Sequence, residues 1–193
     1  TVLGDNNGNT INVINGPGNT TRIAAQTGII MPFETFDFAA NAFTALEIYG
    51  MGGGDTIDLQ ALDPAEISLA TVRLDGDTNT NADASNDTIV VRSTTNLPGA
   101  STVNLFGGAG NDTFILDSVP ATGANDGTVD GIRSIVNVSP SVDEGGTDSL
   151  FAVDTNNGGG KTITVTGNGA GCTIAGLAGP TGGPNPNPDI NYG

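Results

Sequence analysis

A phrase of thirteen residues recurs along this chain, and that recurrence constrains its fold more than any other property. TVLGDNNGNTINV (1–13), EIYGMGGGDTIDL (47–59), NLFGGAGNDTFIL (104–116) and TVTGNGAGCTIAG (164–176) align without gaps. The second place is always apolar (Val2, Ile48, Leu105, Val165) and the fourth is always Gly (Gly4, Gly50, Gly107, Gly167). The tenth is always Thr (Thr10, Thr56, Thr113, Thr173) and the eleventh is apolar again (Ile11, Ile57, Phe114, Ile174). Two further copies, at 72–91 and 135–153, carry longer loops. Each copy reads as a strand, a sharp bend at a Gly free to take positive φ, and a second strand opened by a β-branched Thr. An Asn or Asp at the ninth place sets the turn through its side chain.

Repeats at such spacing are the signature of stacked architectures. The copies start 46, 24, 33, 31 and 29 residues apart, and the long first interval leaves room for a further turn built from TTRIAA (20–25) and FETFDF (33–38). The predicted class is all-β: a parallel β-helix, or β-solenoid, with coils of about 25–33 residues, in which places 2 and 11 form two inward apolar columns. The alternative is an antiparallel β-sandwich whose hairpins carry the Gly-rich loops. Only 33–49 is ambiguous between helix and strand. The repetitive domain is expected over 1–178, followed by a Pro/Gly/Asn-rich strap or linker at 179–193.

Composition narrows the functions. Acids outnumber bases 21 to 5, for a net charge of −16. So few cations leave nothing to neutralise phosphates, which argues against a nucleic-acid partner. No apolar run reaches the roughly 20 residues of a membrane span. There is no His, so neither a Ser-His-Asp triad nor a His-based zinc site can be built. A carboxylate-pair glycosidase remains conceivable, but the acids lie mostly in turns and the bases (Arg22, Arg73, Arg92, Arg133, Lys161) are scattered singly. The expectation is no enzyme, with a polysaccharide-degrading activity as the third reading. The lone Cys172 permits no intrachain disulfide.

GMGGGDTIDL (50–59) and FGGAGNDTFIL (106–116) resemble the GGxGxDxUx nonapeptide of calcium-binding RTX repeats. Together with Asp130–Ile132, the GGTDSLFAVD stretch at 145–154 and TIAGL at 173–177, the set resembles Gly/Asp/Thr-rich units repeated in tandem in very large bacterial surface proteins. That resemblance spans residues 44–177 and implies an adhesin, matrix or fibril role outside the cell. Single copies here stand about three times further apart than consecutive nonapeptides, a departure from the RTX pattern.

Three sets of candidate sites follow. In DGDTNTNADASND (75–87), Asp75, Asp77, Asn79, Asn81 and Asp83 alternate as in an EF-hand loop, with Asp87 near the end. Alternating oxygens wrap a hard cation, so Ca2+ is the expected cofactor, bound weakly without the bidentate acid, at about 10⁻⁴–10⁻³ M. The turn acids Asp55, Asp87, Asp112 and Asp148 occupy equivalent places, and Cys172 falls at the same place of its copy. They either sandwich a cation or cap local N–H groups, the second being the simpler. Asn-X-Ser/Thr occurs at Asn19, Asn86, Asn111 and Asn137, the candidates for attached glycans. Thr1, Val2 and Leu3 at one end and Ile190, Asn191 and Tyr192 at the other are the expected assembly contacts. The resulting expectation is a structural subunit of an extracellular fibril or cell-surface array, joined to copies of itself head to tail. The alternative is a calcium- or carbohydrate-binding adhesin module.

Overall fold

The computed structural model describes residues 1–27, 34–66, 68–77, 84–97, 101–118, 127–139, 146–154, 164–167, 172–175 and 190–192. Every element among them is a strand. In chain order these are β1 (Val2–Leu3), β2 (Asn9–Asn15), β3 (Thr20–Thr27), β4 (Glu34–Ala39), β5 (Ala45–Met51), β6 (Thr56–Leu59), β7 (Thr71–Asp77) and β8 (Thr88–Val91). There follow β9 (Thr102–Phe106), β10 (Thr113–Leu116), β11 (Ile135–Ser139), β12 (Ser149–Ala152), β13 (Thr164–Gly167), β14 (Cys172–Ala175) and β15 (Ile190–Tyr192).

They form two sheets. The first runs β1-β5-β7-β9-β11-β15-β14-β13 and the second β12-β10-β8-β6-β2-β3-β4. From β5 to β12 the chain alternates between them, so each repeat copy gives one strand to each sheet. Equivalent residues then pair in register: Val2 with Ile48, Ile48 with Leu74, Leu74 with Leu105 and Leu105 with Val138. In the second sheet Ile11, Ile57, Ile89, Phe114 and Leu150 form the matching column. The two columns meet in the core. Ile48, Leu74, Leu105, Ile57 and Phe114 are fully buried, each worth about 1.5–3 kcal/mol of apolar burial. A narrow core made mostly of Ile, Val and Leu side chains thus suits a chain with few aromatics.

The parallel β-helix of uniform coils is nevertheless corrected by the pairings, and so is the antiparallel sandwich. The inner strands are parallel, which excludes the sandwich, yet both sheets end in antiparallel hairpins, which excludes uniform coils. β3 and β4 fold back on β2, so within the two segments expected to form a further coil, residues 20–25 and 34–38 are hairpin arms instead. Asn15 and Thr20 are joined by a tight turn in which Gly18 and Asn19 have φ of 66° and 59°. Consecutive positive φ values match the right-handed twist of the arms. At the other end β13 and β14 pair antiparallel, with Val165 opposite Ile174. In the other copies those two places lie in different sheets; here they are neighbours in one. β15 lies between β11, which it parallels, and β14, which it opposes. Ile190, Asn191 and Tyr192 therefore pair within their own chain, a correction to the expectation that they reach the next unit.

Candidate functional site: a column of carboxyls

The bends between the sheets bring the turn acids together. The Asn9 N–H donates to Asp55 Oδ1 at 2.5 Å, the Asp55 N–H to Asp87 Oδ1 at 2.7 Å, the Asp87 N–H to Asp112 Oδ1 at 2.8 Å and the Asp112 N–H to Asp148 Oδ1 at 2.9 Å. Each carboxyl caps the backbone of the equivalent residue one level away. The backbone carbonyls of Asp55, Asp87 and Asp112 accept from Thr88, Thr113 and Ser149, in the opposite direction. Every level is thus bonded to the next through both main chain and side chain. Asn9 occupies the first rung, where it is neutral.

The recurrence of a Gly opposite each inner acid has a steric cause. A Cβ on Gly50 would lie 2.2 Å from Asp55 Oδ2 and 2.4 Å from the Gly76 carbonyl oxygen. On Gly76 it would meet Asp87 Oδ2 at 2.1 Å, and on Gly107 it would meet Asp112 Oδ2 at 2.1 Å. Among the described residues the positive-φ glycines are Gly18, Gly53, Gly108, Gly110 and Gly146, so Gly50, Gly76 and Gly107 are needed for close approach and not for their φ. This corrects the role expected of them.

The column is dry. Asp55, Asp87 and Asp112 are 2%, 2% and 1% exposed, and Asp87 Oδ2 has no hydrogen-bond partner. Burial pushes the Asp87 carboxyl up to about 8; the N–H of Asp55 opposes this, and the charges of Asp55, Asp112 and Asp77 add to it. At neutral pH Asp87 is held largely protonated, which relieves like-charge repulsion along the stack.

Of the calcium-loop candidates, Asp75 and Asp77 lie in β7 and not in a loop. Asp75 is 3% exposed and bonded by Arg73. Asp77 Oδ2 accepts the Ala109 N–H at 3.2 Å. Asp87 belongs to the carboxyl column, while Asn79, Asn81 and Asp83 lie outside the described residues. Among the described residues no three His, Cys, Asp or Glu are grouped to hold a metal. Cys172 opens β14 in the hairpin and so stands apart from the carboxyl column.

The glycan candidates divide. Asn19, Asn86 and Asn111 are exposed. Asn86 and Asn111 use Oδ1 to accept the N–H groups of Asn111 and Thr147 one level away. Asn137 is half-buried and donates its Nδ2, the atom a glycan would take, to Asn104 Oδ1 at 2.8 Å. Thr1 is exposed and bonds Glu47, while Leu3 is 61% exposed on the sheet edge.

Two basic residues unmarked by any motif also hold levels together. Arg92 grips Asp58 with both Nε and Nη2. The Arg73 guanidinium lies 3.8 Å from the Phe106 ring centre and 5.4 Å from that of Tyr49, on the strands to either side. Register could have found the second, because Tyr49, Asp75 and Phe106 are paired neighbours. No family model, curated protein or solved structure matches the chain. No helix among the described residues is long and apolar enough to cross a membrane.

Proposed function

We propose that the chain is a structural subunit of an extracellular fibril or surface array, joined to its own copies head to tail, and that it is not an enzyme. The observation that carries this reading is the use to which its chemistry-bearing side chains are put. The side chains of the four column acids, Asn86, Asn104, Asn111, Asn137 and Arg92 all hydrogen-bond to neighbouring levels. A catalytic acid needs an open side facing a substrate, whereas these face the next copy of themselves. Stacking of this kind has no internal limit on length and suits a load-bearing or spacing element. The net charge of −16 keeps such elements soluble and apart from anionic surfaces.

The test is electron microscopy of the purified chain across a hundredfold range of concentration. Unbranched particles of constant width that lengthen with concentration are expected. Monomers at every concentration would sink the reading.

A further inference from the structure

We infer that successive copies meet through a lap joint, the overhanging sheet of one copy covering the opposite overhang of the next. This inference rests on the head-to-tail reading and names its interface. The two sheets are out of step. β1 and β2 belong to the same copy, but among the described residues the second sheet continues past β2 through β3 and β4, while β1 is the outermost strand of the first. At the other end β11 and β12 stand level, and there the first sheet continues through β15, β14 and β13 while the second stops at β12. One end therefore projects two strands of one sheet, and the opposite end projects three strands of the other. The steps are complementary, so a translated copy fits the first.

Direction agrees as well. β1 is parallel to β5, and parallel pairing continues to β15; two antiparallel pairings then return β13 to the same sense. β4 returns to the sense of β2 and β12 by the same count. Within each sheet the two outer edges run the same way, so a translated copy brings β13 beside β1 in parallel. Sheet edges are ordinarily protected by charge, Pro or a covering loop. Among the described residues, three of the four exposed large apolar side chains lie on edge strands: Leu3 at 61% on β1, Phe36 at 51% on β4 and Phe151 at 54% on β12. Beneath the two-strand overhang lies an open cavity of about 350 Å³ lined by Val2, Leu3, Ala25, Thr27, Glu34 and Phe36.

When β13 meets β1 of the next copy, three strands face two. A gap one strand wide, about 4.8 Å, is left in the second sheet, bordered by Phe151 on one side and Phe36 on the other. The facing overhangs offer a footprint of roughly 200 Å² each, plus one strand edge. That lies below the roughly 1,200 Å² total of stable specific complexes, so assembly is reversible and concentration-dependent. Such a contact is heterologous and does not close, the condition for a filament.

The axial repeat tests the joint. Eight strand spacings in the first sheet give a lap-joint repeat of about 38 Å, whereas end-to-end abutment of the full ten-level stagger gives about 48 Å. A meridional 38 Å reflection from aligned fibres is expected; 48 Å would overturn the lap joint while leaving the head-to-tail reading intact. Solution mixing gives a second test. The Leu3→Lys/Phe36→Lys double variant and the Phe151→Lys variant, each checked for wild-type circular dichroism and melting, should be monomeric alone by sedimentation and form 1:1 dimers when mixed. Assembly of either variant alone as in wild type, or failure of the mixture to pair while wild type assembles, would overturn the joint. A monomeric wild type overturns the head-to-tail reading itself.

Discussion

Replacing Asp87 with Asn tests whether the carboxyl column is held together by a protonated acid. In the folded chain Asp87 titrates near 8; in the unfolded chain it titrates near 3.9. A group whose folded value is raised stabilises most below its unfolded value, and that stabilisation is lost as pH rises through the folded one. The window is therefore about pH 4–8. The full interval corresponds to at most about 6 kcal/mol. Partial hydration of the site and charge sharing with Asp55, Asp77 and Asp112 lower the expected effect to about 2–3 kcal/mol. Asn keeps the Oδ1 that accepts the Asp55 N–H and resembles the protonated acid in shape, but it does not ionise. Urea unfolding of both proteins at pH 4, 6.5 and 9 gives the comparison. Near pH 4 they should agree within about 1 kcal/mol; at pH 9 Asp87→Asn should be the more stable by about 2–3 kcal/mol. Taking the difference cancels much of the titration of the other acids. Curves that stay parallel from pH 4 to 9 would refute the protonated column.

Gly50→Ala should destabilise by about 3 kcal/mol or more, because its Cβ would meet backbone at 2.4 Å. Gly18→Ala, in open space but at φ 66°, should cost only about 1 kcal/mol; equal losses in thermal melts would refute the steric reading. Arg92→Met should lower stability by about 3 kcal/mol by leaving Asp58, which is 5% exposed, with the neutral Gln60 amide in place of its cation. Arg22→Met, which breaks an ion pair with Asp37 whose side chains are 32% and 35% exposed, should leave the urea midpoint nearly unmoved. Expressed in an N-glycosylating host, the chain should carry sugar at Asn19, Asn86 or Asn111 and not at Asn137, as read by intact glycopeptide mass spectrometry. Substantial occupancy of Asn137 would mean that its bond to Asn104 is not kept.

Particular residues show what could be read beforehand. The equivalence of Asp55, Asp87, Asp112 and Asp148 was legible because a repeat puts like residues at like places. The direction of their bonds was not, since spacing within a turn says nothing about the level above. The fourth-place Gly was found but assigned the wrong cause: a tight packing contact and a positive φ leave the same trace in a sequence. The hairpin of β2 and β3 carried a usable signal in Gly16–Asn19, where Gly and Asn adopt the two positive φ values of a primed turn. The copy at 164–176 was unreadable for another reason. Alternation fixes which side of a strand is apolar, not which strand it pairs with, so Val165 and Ile174 could as well face each other as lie apart. In Asp75 and Asp77 the pattern of a cation loop was written by a strand, whose every second residue shares a face.

The rungs of the carboxyl column join residues 46, 32, 25 and 36 apart in the sequence, yet the bonds all lie between 2.5 and 2.9 Å. Loop length is thereby uncoupled from alignment. A segment inserted between rungs bulges sideways and leaves the next acid at the same address, and a duplicated level finds the partners its parent had. Such a chain can grow along its axis by whole increments while its flanks diversify freely, like a measuring rod whose gradations stay fixed whatever is hung from them.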